Sequence, residues 1–256
     1  AASLVPAEVL VHAGPDAVVH DSASMTLEDV LGVYAASPDG AIVRLHSGDP
    51  SVYGAIQEQI DWCTANGREF EVVPGVSSLG AAAAALGCEL TIPGVAQSVV
   101  ITRLAGRTAA SMPARQSVAD YAPHGGTLAV FLSAARPAEL QDQLLATDSD
   151  YDAQTPAAIV VRASWPDQMV VTTTVGRLAA DLAATGATTT VLVLVGPALG
   201  DAPAARSHLY SPTFAHRFRR RSTPGTTAGR PAFRSGTEPA FRSGTEPAFR
   251  SGTEPG

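Results

Sequence analysis

The fold is indicated by the stretch Ala41-Ile-Val-Arg-Leu-His-Ser-Gly-Asp-Pro-Ser-Val-Tyr-Gly54. Residues 41–45 are an apolar run that predicts a buried strand, and a helical pattern begins near Ser51. In an open α/β sheet, ligands dock at the loops that leave the carboxyl ends of strands. Gly48, in the loop 47–50, allows close backbone approach or a positive φ. The stretch therefore predicts a ligand-binding strand tip, with a plain strand-to-helix turn as the alternative.

Strands and helices alternate on both sides of this stretch. In the first half, strands are predicted at 17–21, 41–46, 69–73 and 98–103, and helices at 6–12, 26–36, 52–66 and 79–86. This order predicts a largely parallel sheet that is covered on both faces. In the second half, strands are predicted at 127–133, 157–161, 169–174 and 190–195, and helices at 137–146 and 178–184. Residues 157–174 read as a hairpin, which predicts a mixed sheet.

The predicted fold class is α/β, with two α/β domains, a cleft between them and a disordered tail. The domains are expected at 1–112 and 113–215, separated where the pattern breaks around Met112-Pro113, and the tail at 216–256. The tail contains three copies of Ala-Phe-Arg-Ser-Gly-Thr-Glu-Pro. Repeats with one aromatic residue each cannot build a core. Neutral repetition is favoured over a partner-binding arm.

The composition excludes several classes of protein. All 17 basic residues are arginines, so enzymes that need a lysine at a fixed place are excluded, namely P-loop hydrolases, pyridoxal-phosphate enzymes and protein kinases. Eight arginines follow Thr213, which leaves the remainder with nine arginines against 21 acidic residues, a net charge of −12. We therefore expect no nucleic-acid partner.

No apolar run reaches the roughly 20 residues of a membrane span, and the first residues lack a signal-peptide pattern. We expect a cytoplasmic protein with no membrane partner. Cys63 and Cys88 have no metal-ligand spacing and read as buried free thiols rather than a disulfide. The histidines also lack such spacing, so no metal site is predicted.

Five segments carry a family resemblance: Ser3-Leu-Val-Pro6, Arg44-Leu-His-Ser-Gly-Asp-Pro50, Val72-Val-Pro-Gly-Val76, Arg162-Ala-Ser-Trp-Pro-Asp167 and Leu194-Val-Gly-Pro-Ala198. The chain resembles the tetrapyrrole methylases, S-adenosylmethionine-dependent enzymes of cobalamin and sirohaem synthesis. The segments Arg-Ala-Ser-Trp-Pro and Ser-Leu-Val-Pro are typical of members that methylate C11 of precorrin-4. The resemblance implies this activity, with S-adenosylmethionine as methyl donor, a tetrapyrrole substrate and a homodimer.

The resemblance also implies a donor pocket. The donor would lie against residues matched to the family motifs, which are Ser47, Gly48, Asp49, Val52, Ser77, Ser78, Leu132, Ala163, Pro197 and Ala198. The acceptor carries acetate and propionate carboxylates, which guanidinium groups pair with bidentately. The arginines near the predicted loops, Arg44, Arg103, Arg115 and Arg162, are candidate substrate contacts, with surface ion pairs as the alternative. The candidate proton acceptors are His46, Tyr53 and Asp49. Trp165 is expected either in the substrate trough or in the core.

The sequence departs from the family at its start. Family members begin with a strand and a glycine-rich turn before the Ser-Leu-Val-Pro segment, whereas this sequence begins at Ala1. We therefore expect the chain as given to bind the donor weakly or not at all. Two other functions stay open, namely methylation of a different precorrin or of uroporphyrinogen, and a non-catalytic truncated remnant. The sequence does not indicate whether the substrate contains cobalt.

Overall fold

The computed structural model describes residues 5–105, 109–201, 207, 209, 211, 214 and 215. Residues 1–205 form one compact unit and residues 206–256 a second. The first unit is α/β, which confirms the predicted class. The repeat tail, Ser3 and Leu4 lie outside the described residues.

The described part of the first unit contains six α-helices and five strands. The helices are α1 (Leu27–Ala36), α2 (Gln57–Ala65), α3 (Ser78–Leu86), α4 (Val118–Tyr121), α5 (Pro137–Leu144) and α6 (Leu178–Ala184). The strands are β1 (Val99–Arg103), β2 (Thr127–Phe131), β3 (Pro156–Val161), β4 (Met169–Thr174) and β5 (Val191–Val195). Short 3₁₀ helices lie at Ala7–His12, Ser22–Ser24, Ala109–Ser111, Ala122–His124, Val175–Arg177 and Pro197–Leu199.

The five strands form one mixed sheet in the order β1-β2-β5-β3-β4. β1 and β2 are parallel, and β5 is antiparallel to both of its neighbours. The predicted hairpin is confirmed, since β3 and β4 pair antiparallel from Pro156–Thr174 to Val161–Met169. Because β5 is reversed, its amino end lies at the same sheet edge as the carboxyl ends of β2 and β3. This edge is where the cavity described below opens.

Both faces of the sheet are covered because its inner strands are apolar on both sides. Alternate residues of β2 and β3 enter two separate buried clusters, with Ile159 in the first and Val160 in the second. Leucines of α5 and α6 cover the first face, and Ala82 of α3 contacts the second. Continuous apolar strands are typical of sheets that are buried on both faces. The alanine-rich face of α3 allows that helix to pack closely.

The prediction of a parallel sheet in the first half is wrong. The described residues at 17–20, 41–46 and 69–73 form no strand, and β1 is the first paired strand in the described part of the chain. A run of β-branched residues favours a strand, but the strand forms only where a neighbour completes its hydrogen bonds. Val43 and Val73 are 81% and 70% exposed, so the burial that the pattern predicted is also missing.

The ends of α1 and α3 agree with the sequence pattern more closely than the strands of the first half do. Thr26 and Asp29 form a reciprocal capping box at the start of α1. Ser77 caps α3, and Gly87 ends that helix at φ 66°. These positions were predictable because capping depends on residues within one turn. The thiols of Cys63 and Cys88 are free, as predicted, with Cys63 buried and Cys88 half-buried.

The expected domain boundary at residue 112 lies between two paired strands. β1 precedes it and β2 follows it, and the two strands pair from Val99–Thr127 to Arg103–Phe131. Both belong to the compact unit of residues 1–205. The two-domain division therefore stays a prediction.

Tyr151 anchors the loop before β3 and makes stability sensitive to alkaline pH. Its side chain is buried, and its hydroxyl donates a hydrogen bond of 2.7 Å to the Gly126 carbonyl. Burial, and secondarily Asp150, raises the pKa of Tyr151 to about 12 from 10.0. The unfolded chain therefore loses this proton first, and the stabilisation that is complete below pH 10.0 is lost as the pH rises towards about 12.

We expect Tyr151→Phe to lower the free energy of unfolding near neutral pH by about 1–2 kcal/mol, because the Gly126 carbonyl loses its partner. The substitution should also reduce the loss of stability at alkaline pH. Urea denaturation of both proteins at neutral and alkaline pH measures the two effects. An alkaline loss of equal size in the two proteins would contradict the assignment to Tyr151.

Candidate active site

A cavity of about 1010 Å³ opens at the edge of the sheet where β2 and β3 end. The sheet brings these ends together through β5, since Val130 of β2 pairs with Val193 and Val161 of β3 pairs with Val191. The walls come from six stretches of the chain: 5–12, 45–53, 76–81, 131–135, 160–166 and 188–192. This volume lies at the upper end of the range for small-molecule sites.

Two glycine loops form one wall by packing backbone against backbone. Gly48 has a φ of 71°, in the left-handed region that favours glycine. A Cβ atom added to Gly75 would lie 2.0 Å from the Gly48 carbonyl oxygen. The Asp49 carboxylate joins the loops, accepting hydrogen bonds from the backbone N–H groups of Ser51 (2.8 Å) and Gly75 (3.0 Å). This wall therefore depends on glycine at both positions.

The hydrogen bonds to Asp49 also determine its protonation. The backbone donors of Ser51 and then Gly75 lower the pKa of this carboxyl below 3.8. A carboxylate held ionised by two N–H groups is a weak proton acceptor. The geometry therefore favours a role for Asp49 in positioning the two loops over a role as base.

His46 lines the same cavity and is half-buried. Burial, followed by the nearby Arg44 charge, lowers the pKa of the His46 imidazole below 6.5. Both causes disfavour the charged form. The ring is therefore predominantly neutral at pH 7 and able to accept a proton.

Tyr53 occupies a strained position in the wall. Its φ is 56°, a conformation that a bulky residue rarely adopts. Its ring lies 5.3 Å from that of Phe131 between centroids, at 54°. Burial raises the pKa of the phenol above 10.0, so Tyr53 stays protonated at neutral pH.

Strained backbone recurs around the cavity. Of the seven described non-glycine residues with positive φ, four line it: Tyr53, Leu132, Ser164 and Thr190. Such strain concentrates at functional sites, where the surrounding structure maintains it. This cluster supports the cavity as the functional site.

Six of the ten proposed donor-contact residues line the cavity, namely Ser47, Gly48, Val52, Ser78, Leu132 and Ala163. Asp49 and Ser77 do not line it but support its wall, since the Ser77 hydroxyl accepts a hydrogen bond of 3.3 Å from the Leu79 N–H. Trp165, for which trough and core were both open, lines the cavity.

The structure does not bring Pro197 and Ala198 to this cavity. They follow the carboxyl end of β5, where Val195 pairs with Leu128 and with Ala157, near the starts of β2 and β3. Because β5 runs opposite to its neighbours, its carboxyl end lies at the opposite edge of the sheet. The sequence showed that a strand was present there but not its direction.

The four candidate arginines are dispersed. Arg103 lines a second, smaller cavity. Arg44 donates a hydrogen bond of 2.8 Å to the Ser22 hydroxyl, and Arg162 forms an ion pair with Asp167. Arg115 lines neither of these two cavities. Arg103 is thus the candidate arginine that the geometry favours as a substrate contact.

Some wall residues were not identified from the sequence. Glu8, Val9 and His12 come from the 3₁₀ helix Ala7–His12, and Thr188 and Thr189 precede β5. None belongs to a motif, and only the fold brings them to the cavity. The described residues contain no cluster of His, Cys, Asp or Glu suited to a metal ion. The described helices include none long and apolar enough to cross a membrane.

A family model for tetrapyrrole (corrin/porphyrin) methylases matches residues 2–179. The chain belongs to this family. That stretch contains every part of the cavity wall except residues 188–192. The region matched to the tetrapyrrole methylases thus includes strands β1 to β4 and both glycine loops.

Individual relatives and solved structures agree with this assignment. The chain is 40% identical to the cobalt-precorrin-4 C(11)-methyltransferase of Methanocaldococcus jannaschii, over 86% of this chain and 84% of that protein. It is 42% identical to the precorrin-4 C(11)-methyltransferase of a Sinorhizobium species, over 86% and 87%. The X-ray structure of a cobalt precorrin-4 methyltransferase matches with a TM-score of 0.72 at 36% identity, covering 77% of this chain and 82% of that one.

A more distant solved structure is also similar. Uroporphyrin-III C-methyltransferase from Thermus thermophilus, complexed with S-adenosyl homocysteine, matches with a TM-score of 0.52 at 27% identity. The match covers 66% of this chain and 72% of that one. The similar solved structures therefore include methyltransferases named for two different tetrapyrrole acceptors, cobalt precorrin-4 and uroporphyrin-III.

Proposed function

We propose that the chain transfers a methyl group from S-adenosylmethionine to C11 of precorrin-4 or of its cobalt form, in corrin biosynthesis. The large cavity carries this proposal, because it is bounded by residues of both halves and by two glycine loops that leave backbone exposed. The names of the relatives at about 40% identity support C11 of precorrin-4 as the target.

The glycine wall fits a nucleoside donor. Gly48 and Gly75 contribute only backbone to this wall, and Ser47 and Ser78 add polar groups beside them. Across the cavity, Leu132 offers a 66% exposed apolar side chain. A few polar groups in a mainly apolar cleft are typical of small-molecule sites.

A sulfonium donor supplies an already activated methyl group, so the protein mainly has to align donor and acceptor. Orientation of this kind contributes up to roughly 7–11 kcal/mol when the geometry is near ideal. The strained Tyr53 and Leu132 backbones fix two cavity walls, which suits such a role. Neutral His46 is the group best suited to accept or relay the proton that the acceptor loses.

We also propose a homodimeric, cytoplasmic protein without a nucleic-acid partner, with two α/β domains separated near residue 112. The family resemblance supports the dimer and the domains, and the net charge of −7 disfavours nucleic acid. Light scattering of the purified chain measures the oligomeric state. A monomeric mass would overturn the dimer.

Turnover tests the acceptor directly. Incubation with S-adenosylmethionine and precorrin-4, or cobalt-precorrin-4, should yield a product heavier by one methylene group and S-adenosylhomocysteine in equal amount. Mass spectrometry detects both products, and carbon-13 in the donor methyl locates the new carbon by NMR. A label at another carbon, or methylation of uroporphyrinogen III instead, would contradict C11 specificity. If the chain methylates none of these tetrapyrroles, the non-catalytic alternative is favoured.

A further inference from the structure

A second cavity, of about 230 Å³, lies beside the large one at the same edge of the sheet. Its walls come from the end of β1, the segment 111–116, Tyr121 and Tyr53. Tyr53 lines both cavities and therefore forms the wall between them. Sites for whole small ligands have volumes of about 300–1,000 Å³. The second cavity is thus suited to one substituent of a ligand held in the first.

The groups around this cavity suit an anion. Arg103 contributes a guanidinium group, whose Nη2 lies 3.2 Å from the Ser111 hydroxyl. Two phenols, Tyr53 and Tyr121, also line it, and none of the described lining residues is acidic. Guanidinium groups pair with carboxylates through two parallel hydrogen bonds, and phenols add further donors.

The position of Arg103 connects this cavity to the large one. Arg103 pairs across the ladder with Phe131, and the Phe131 ring packs on Tyr53. Burial keeps the Tyr53 phenol protonated although Arg103 opposes that shift in pKa. A protonated phenol beside a guanidinium group can donate to the same carboxylate. Phe131 therefore lines the large cavity, Arg103 lines the second cavity, and Tyr53 lines both.

We propose that the second cavity binds one carboxylate side chain of the tetrapyrrole acceptor, with Arg103 as its counter-charge and Tyr53 as the wall between that side chain and the macrocycle. This inference rests on the proposed function, since the acceptor is taken to be a tetrapyrrole. It adds a fixed anchor that sets the rotation of the macrocycle in the large cavity. Rotation determines which carbon faces the donor, so the anchor contributes to positional specificity.

The test uses uroporphyrin III, a stable tetrapyrrole with acetate and propionate side chains, and its methyl ester. Fluorescence titration should show that Arg103→Met weakens binding of the acid by about tenfold to a hundredfold, the effect of losing a charged hydrogen-bonded pair. The methyl ester should bind weakly, and Arg103→Met and the unsubstituted chain should bind it with the same affinity. Arg177→Met is the matched control, because it removes an exposed arginine that lines neither cavity.

Calorimetry with S-adenosylhomocysteine separates this proposal from the proposed function. Arg103→Met should leave that affinity unchanged. Unchanged affinity of Arg103→Met for uroporphyrin III, or an equal loss for acid and ester, would overturn the carboxylate subsite alone. Failure of the unsubstituted chain to bind either ligand would overturn the proposed function as well. If Arg103→Met does not fold, Arg103→Lys and Tyr121→Phe should still weaken binding of the acid selectively, and equal binding of the acid would overturn the subsite.

Discussion

Gly75→Ala should weaken binding of S-adenosylhomocysteine by roughly tenfold to a hundredfold, the effect expected when the two glycine loops separate and the hydrogen bond to the charged Asp49 carboxylate is lost. The new Cβ atom would lie 2.0 Å from the Gly48 carbonyl oxygen and 3.2 Å from the Asp49 Cα atom. Both neighbours are backbone, so the contact is relieved only if the two loops separate. Separation also breaks the hydrogen bond from the Gly75 N–H to Asp49. Calorimetric titration measures the loss.

Gly80→Ala is the matched control for this prediction. Gly80 lies within α3, and a Cβ atom there meets nothing within 4 Å. The substitution should preserve binding and raise the free energy of unfolding by roughly 0.5–1 kcal/mol. Wild-type affinity in Gly75→Ala would show that the glycine wall does not hold the donor.

His46→Gln should reduce kcat by about 10²–10⁴, the range for loss of a general base. The same substitution should remove the acid limb from the pH profile of kcat/KM, which reports the titrating groups of the free enzyme. In the unsubstituted protein that limb should lie below pH 6.5, because burial and Arg44 both lower the pKa of His46. Activity then falls as the imidazole becomes protonated. Stopped assays across the acid range measure both effects.

His20→Gln serves as the control, since His20 is exposed and lines neither cavity. It should leave both the rate and the profile unchanged. Persistence of the acid limb in His46→Gln would show that another group titrates. A loss of donor affinity in His46→Gln with an unchanged kcat would assign His46 to binding instead.

The sequence predicted the second half of the fold better than the first. Apolar runs such as Pro156–Val161 find neighbours in the sheet and form the strands that their pattern indicates. The similar run at 41–45 has no paired neighbour among the described residues. Local composition sets the propensity for a strand, whereas pairing depends on distant residues. The caps of α1 and α3 were predictable because they are local.

The candidate site was likewise predicted only in part from the sequence. Motif matching placed Gly48, Leu132 and Ala163 at one cavity, although they are far apart in sequence. It did not separate Pro197 from them, because a strand pattern carries no information about strand direction. It also did not reveal that Arg103 and Tyr53 share a second cavity, since only their positions in the fold bring them together.

A crystal structure with S-adenosylhomocysteine at saturating concentration tests the central claim most directly. The ligand should lie in the large cavity, with Gly48 on one side and Leu132 and Ala163 on the other. Density at the opposite edge of the sheet, against Pro197, would contradict the account.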